Sequence, residues 1–274
     1  MTKKTIFLML FLAVLDFVPV LRLVNPSWAG EQGVPILAYH RFGPVLADSM
    51  TVTTQVFESH LKHLQENGYR AILLRDLLEE YLKGGTPPSS RLVGLTADDA
   101  HISVYATALP LIKKYRIPMT LFVYPSAVSN ASYAMTWDQL RELKATGLFD
   151  FQSHTYWHPN FNKEKKRLAP AEFEKLVEMQ LRKSKEKLEK ELNVRVNMLA
   201  WPFGIHDPWL MDKAAEAGYA AAFTIEGYAS CKEDHPMAIP RYLMVDSDRG
   251  KAFERIIHGS ILTSKKGNVN GKKG

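Results

Sequence analysis

Residues 91–100 read RLVGLTADDA. An apolar run from Leu92 to Thr96 is followed within two residues by adjacent carboxylates, Asp98 and Asp99, and that junction decides how the rest of the chain is read. A short apolar run bounded by polar residues fits a strand buried on both faces. In barrels of parallel strands, reactive groups sit just beyond the C-terminal strand ends, which is where the two aspartates fall. Other runs repeat the pattern. PILAY over 35–39 ends at His40, MTLFV spans 119–123, and a strand-like stretch over 149–152 runs straight into His154. Further strands are expected over 71–74, 197–200 and 221–224.

Helical periodicity fills the gaps. Phe57, Leu61 and Leu64 share one face of a helix expected over 57–67 and stopped by Gly68. Further helices are expected over 76–82, 103–115, 137–144 and 169–192, the last with a Lys/Glu-rich solvated face. Strands alternating with helices mean parallel strands joined by helical crossovers. With about seven such units and no glycine-rich nucleotide fingerprint after the first strand, the expectation is a single-domain α/β fold, a distorted or incomplete (β/α) barrel, rather than an open doubly wound sheet.

Composition narrows the functional classes. An apolar fraction of 46% with 23% charged residues excludes a chain disordered throughout. The net charge of +6 is confined to the ends. Lys3, Lys4, Asp16 and Arg22 leave residues 1–29 at +2, and Lys265, Lys266, Lys272 and Lys273 put +4 on the tail, so the body is neutral. A neutral body argues against a nucleic-acid partner held by one broad basic face. Lys3 and Lys4, the apolar run Ile6 to Leu15, and small residues at Ser27 and Ala29 read as a cleavable export signal over 1–29. Asp16, Pro19 and Arg22 interrupt the run, so no stable membrane span is expected. The expected product is a periplasmic or extracellular monomer with its domain over 30–263 and a disordered basic tail over 264–274. Its single cysteine, Cys231, cannot close an internal disulfide.

Two stretches carry chemistry. Adjacent carboxylates such as Asp98 and Asp99 are costly unless positive charge lies beside them, and a metal ion supplies it. The bland alternative is a turn capped by aspartates. In QSHTYWHP, over 152–159, His154 and His158 are spaced i, i+4, which on a helical turn points both imidazoles at a common atom. Two imidazoles and one carboxylate leave a coordination position open for water on zinc; two loop histidines are the alternative. A zinc peptidase of the H-E-x-x-H type is disfavoured, because Thr155 stands where the glutamate base would be.

With these stretches in order, the chain resembles the NodB-homology polysaccharide deacetylases (carbohydrate esterase family 4), in particular the poly-N-acetylglucosamine branch. VPILAYHRFGP (34–44) resembles the opening strand and loop, and LTADDAHISVY (95–105) the first motif. SHTYWHP (153–159) matches the H-[ST]-x-x-H motif, LAWPFG (199–204) resembles the third motif, and IPRY (239–242) the segment after it. The resemblance implies an exported, metal-dependent enzyme that removes N-acetyl groups from an acetylated amino-sugar polymer such as poly-N-acetylglucosamine, peptidoglycan or chitin. Asp99, His154 and His158 would hold a divalent metal, Zn2+ first, with Co2+ or Ni2+ able to replace it. Asp98 would be the general base toward a metal-bound water, oriented by Arg241. A backbone N–H near Phe203 would face the oxyanion, and Trp201 and Phe203 would stack on sugar or pack in the core. His40 is the favoured general acid and His258 the reserve. Ala97 and Ala100 depart from the family pattern, and a positive φ at Ala100 would be strained. The rival readings are a non-catalytic carbohydrate-binding relative and an O-acetyl esterase.

Overall fold

The structure, a computed structural model, describes residues 33–79 and 91–258. The expected export signal and basic tail lie outside those residues. Ten strands are present among them: β1 (Ile36–Tyr39), β2 (Arg41–Gly43), β3 (Thr51–Thr53), β4 (Arg70–Ile72), β5 (Leu92–Asp98), β6 (Met119–Val123), β7 (Phe149–Ser153), β8 (Met198–Ala200), β9 (Ala221–Phe223) and β10 (Tyr242–Leu243). Eight of them form one sheet in the order β10-β1-β5-β6-β7-β8-β9, with β4 also paired to β5, and every pairing is parallel. All seven residues of β5 are buried, as are all those of β1, β6 and β7. Parallel strands covered on both faces require apolar side chains at successive positions, which is the pattern in the sequence.

The sheet curls, and an irregular segment spans its two ends. The Thr224 N–H donates to the Ile239 carbonyl, and the Ile239 N–H to the Ala222 carbonyl, each at 2.8 Å. Three residues later, Tyr242 pairs with Leu37 of β1. Residues 239–242 therefore bridge β9 to β1 and carry Arg241 across the gap. The result is a single-domain distorted (β/α) barrel, as the strand–helix alternation predicts.

The helices are α1 (Thr54–Glu66), α2 (Leu74–Leu77), α3 (Leu109–Tyr115), α4 (Trp137–Ala145), α5 (Phe161–Arg167), α6 (Pro170–Leu192), α7 (Pro208–Glu216) and α8 (Lys251–His258). Local signals start and stop them. Thr53 accepts from the Val56 N–H at the start of α1, Thr136 and Gln139 close a reciprocal capping box on α4, and Asn193 in the left-handed region ends α6. α6 buries Phe173, Val177, Leu181 and Leu188, and leaves its charges to solvent. No helix among the described residues is long and apolar enough to cross a membrane.

Several boundaries differ from the sequence expectation. The helix expected over 103–115 begins as a π-helical turn, Val104–Ala108, before α3. Leu73 and Leu74 leave the strand expected over 71–74, and helix begins at Leu74 rather than Asp76. The small sheet β2–β3 and helices α5 and α7 have no counterpart in the hydrophobic periodicity. For α7 a signal exists, because Asp207 caps the Leu210 N–H with Pro208 at the first helical position.

His60, on α1, ties this face to the segment before α8. Its Nε2 donates to the Asp248 carbonyl, so its Nδ1 accepts from the Tyr39 hydroxyl at 3.0 Å, while its ring lies flat on Phe253 with centroids 4.0 Å apart. Burial pushes its pKa down from 6.5 to about 4. The unfolded chain therefore binds a proton that the folded chain refuses between those values, and the stability present above about pH 6.5 is lost as pH falls. Denaturation at about pH 7.5 and about pH 5 is expected to differ by about 2 kcal/mol from this group alone. His60→Gln should flatten that difference; an unchanged slope would show that His60 is not buried neutral.

Candidate metal centre

The strand ends of β5, β7 and β8 open into one cleft of about 520 Å³. Asp98 is the last residue of β5, and the chain then turns through two left-handed residues, Asp99 (φ 72°) and Ala100 (φ 54°). That turn aims the Asp99 carboxylate back over the strand end. Ala100 is where the sequence anticipates strain, and its Cβ is buried. Ala100→Gly would relieve about 1–2 kcal/mol of left-handed strain and forfeit about 0.8 kcal/mol of methyl burial. A rise in Tm of about 1–3 °C is expected; a fall would mean the buried methyl outweighs the strain.

His154 follows β7 directly, and the i, i+4 spacing predicts a helical turn that the structure does not form. Residues 154–160 are irregular, and Thr155 (φ 62°) and His158 (φ 60°) are both left-handed. The turn is held from outside: the Gln180 side-chain carbonyl on α6 accepts from the Tyr156 and Trp157 N–H groups, each at 3.0 Å. The two imidazoles still converge, with ring centroids 4.5 Å apart.

Three donor atoms meet there. Asp99 Oδ1 lies 3.7 Å from His154 Nε2 and 3.8 Å from His158 Nε2, beyond hydrogen-bond reach, and it is buried with no hydrogen-bond partner. Candidate ligand atoms of all three residues lie within 4.8 Å of one another. Two metal–ligand bonds of about 2.0–2.1 Å span up to about 4.2 Å, so one ion fits where no direct bond can form. His154 Nδ1 donates to the Ala200 carbonyl at 2.8 Å, which leaves Nε2 as the lone pair facing Asp99. Burial holds His158 below its ordinary pKa, so that ring is neutral near pH 7 and able to ligate. The residues present fit a divalent cation.

Asp98 is held differently. Arg241 Nη1 and Nη2 donate to its two oxygens at 2.8 and 2.7 Å, and both side chains are almost wholly buried. Arg241 is fixed in turn by the Thr224 carbonyl and the Thr96 hydroxyl oxygen. Burial pushes the Asp98 carboxyl up, but the Arg241 guanidinium, by its charge and its two hydrogen bonds, outweighs it and holds the group well below the usual carboxylate range. Asp98 Oδ2 is 3.9 Å from His154 Nε2, beside the three donor atoms without joining them.

The remaining sequence-picked residues divide. His40 lines the cleft with its Nδ1 buried and unpartnered, and burial keeps it below the ordinary histidine value against the pull of Asp98 and Asp99. Phe203 stands 57% exposed on the cleft, 4.6 Å from the His158 ring, on a left-handed backbone (φ 58°). Trp201 also borders the cleft, but it is buried and its indole N–H donates to the Met237 carbonyl at 2.9 Å, so it serves as a core aromatic. His258 is outside the cleft. It ends α8, where its Nδ1 accepts from the Tyr69 hydroxyl at 2.8 Å, so the reserve acid has no route to the carboxylates.

The cleft also contains residues the sequence does not single out, among them Arg41, Tyr124 and Tyr133. Tyr124 immediately follows β6, so the strand-end rule points to it. Tyr133 lies in a loop, and no spacing announces it.

Comparison with known proteins agrees with this geometry. The sequence pattern of the family described as polysaccharide deacetylase matches residues 85–222. A poly-beta-1,6-N-acetyl-D-glucosamine N-deacetylase of Staphylococcus aureus (strain MRSA252) is 28% identical over 76% of this chain and 71% of its own length. Among solved structures, IcaB from Ammonifex degensii has a TM-score of 0.68 at 27% identity, covering 79% of this chain and 94% of its own. The Streptococcus pyogenes deacetylase PplD, solved with acetate, has a TM-score of 0.74 at 22% identity, covering 82% and 98%; at that identity it bears on the fold alone.

Proposed function

The chain belongs to the polysaccharide deacetylase family, and from that premise we propose that it is an exported, metal-dependent hydrolase of N-acetyl groups on a polymer containing N-acetylglucosamine. The single observation that carries the reading is the unpartnered Asp99 Oδ1 facing two imidazole nitrogens beside an ionised, unligated Asp98. Both aspartates keep that arrangement despite Ala97 and Ala100, which favours the enzyme over a binding-only relative.

Asp99, His154 and His158 would hold the cation. A divalent ion there would supply the charge that makes a water acidic enough for so weak a base as Asp98, and that steadies a developing oxyanion. Asp98 accepts the proton of the attacking water, and the Arg241 fork keeps its carboxylate ionised and oriented. The Phe203 N–H, presented by the left-handed turn, is the protein's own donor to the carbonyl oxygen. The C–N bond then breaks, a proton passes to the sugar nitrogen, and acetate and a free amine result. His40, at the cleft with its Nδ1 unpartnered, is the side chain to relay it: a neutral imidazole can take the proton that Asp98 accepted and pass it to the departing nitrogen.

The test is acetate release from N-acetylglucosamine oligomers and from poly-N-acetylglucosamine, chitin and peptidoglycan, with zinc added. Acetate and new amines should appear in equal amounts from at least one of them, and Asp98→Asn should lose activity by about 10²–10⁴. Acetate freed only from O-acetyl esters would overturn the N-deacetylase reading.

A further inference from the structure

Five large apolar side chains are exposed among the described residues, and two of them, Phe203 and Tyr133, line the cleft. Phe203 arrives from the turn after β8. Tyr133 arrives from the loop after β6 and is neither a ligand candidate nor a partner of Asp98. It is 45% exposed, yet held by its hydroxyl, its ring and its backbone. Its hydroxyl is 2.7 Å from that of Tyr124, its ring stacks on His101 at 6.3 Å with planes 14° apart, and its carbonyl accepts from the Ile102 N–H at 2.8 Å. The next two residues continue the tether: Ala134 bridges His101, and the Met135 N–H donates to the Ala100 carbonyl at 3.0 Å.

The partners are themselves anchored. His101 Nδ1 accepts from the Ser103 hydroxyl at 2.8 Å, and that oxygen accepts from the Phe42 N–H at 2.9 Å. The Tyr124 ring packs against His158 with centroids 5.5 Å apart. One face of Tyr133 is thus pinned to the turn that carries Asp98 and Asp99, and the rest is presented to the cleft. An aromatic face left open on the wall of a cleft, beside the groups that do the chemistry, is placed to meet a ligand entering it. An aromatic fixed in advance has little side-chain freedom left to lose when a ligand arrives.

We propose that Tyr133 is a sugar-stacking platform, a substrate-contacting residue whose exposed face covers a pyranose ring of the polymer being deacetylated. The assignment rests on the function proposed above and gives it a binding subsite on the loop after β6. The axial C–H bonds of a pyranose are electropositive and flat enough to lie on an aromatic face, whereas a small acetyl ester offers no such surface. Tyr133 should therefore contribute to holding the sugar and leave bond cleavage alone.

The experiment compares the full chain, Tyr133→Ala and Tyr133→Phe with zinc present, using N-acetylglucosamine oligomers and a small alkyl acetate. Tyr133→Ala should raise KM for the oligomers by about three- to tenfold and leave kcat and alkyl acetate hydrolysis within about twofold. Tyr133→Phe keeps the ring and should stay close to the parent KM. An unchanged oligomer KM in Tyr133→Ala overturns the platform, as does an equal loss on the alkyl acetate, which marks a merely structural role. If the parent chain frees no acetate from any oligomer, the deacetylase reading fails by itself. Calorimetric titration of the same oligomers then decides: weaker binding by Tyr133→Ala sustains the platform, and equal or absent binding by both proteins ends it.

Discussion

Arg241→Met is expected to cost about 3–5 kcal/mol of folding stability, since it strands a buried carboxylate without its countercharge. Asp98 is 2% exposed, and Arg241 supplies the two hydrogen bonds that its oxygens receive from the guanidinium fork. The reverse change, Asp98→Leu, strands the guanidinium and should cost a similar amount. The double variant Asp98→Leu/Arg241→Met should recover most of the loss, because an apolar pair of matching volume is often as stable as the ion pair it replaces. Urea denaturation of the four proteins measures the coupling, expected at about 5 kcal/mol or more, the two single losses together less the small loss left in the double variant. Additive single losses would mean that the pair is not desolvated. Stability regained in the double variant would bring no activity with it, which separates what the pair does for catalysis from what it does for the fold.

His154→Ala is expected to abolish metal binding at the centre and deacetylation together. Losing an outer partner of a metal ligand already costs about 10–100-fold in affinity, so losing a ligand should cost at least about a hundredfold. The effect is legible without turnover. Zinc at about a hundred times its Kd should stabilise the parent chain by about 2.7 kcal/mol, seen as a rise in Tm that a chelator reverses. In His154→Ala that rise should vanish at the same zinc concentration, with the chelated proteins melting near one another. An equal zinc-induced rise in parent and variant would place the ion elsewhere, and the three-residue centre would be wrong.

The matched stretch, 85–222, contains Asp98, Asp99, His154 and His158 but stops short of Arg241. Arg241 is nonetheless bonded to Asp98 through two guanidinium nitrogens, at 2.7 and 2.8 Å, from a fully buried position behind the cleft. Their meeting depends on residues 239–242 bridging β9 to β1, which brings the guanidinium into the barrel beside the end of β5. The resemblance of IPRY to a family segment pointed at Arg241. The reason it matters is the ring-like order of the sheet.

Local composition by itself determined the buried parallel strands and their helical crossovers, because strands covered on both faces need unbroken apolar runs and solvated helices need a periodic stripe. It also put Asp98, Asp99 and His154 at the cleft, since β5 and β7 each deliver a reactive residue at the C-terminal end. The convergence of His154 and His158 was anticipated for a reason the fold does not use. Helical spacing is absent, and left-handed backbone at Thr155 and His158, pinned by Gln180 from a distant helix, turns the rings together. Tertiary structure alone decided that Trp201 faces inward, that His258 is taken up by Tyr69, and that Tyr133 stands fixed at the cleft wall. Each of those outcomes depends on a partner far away in sequence or set in an irregular loop, and neither periodicity nor spacing encodes such a contact.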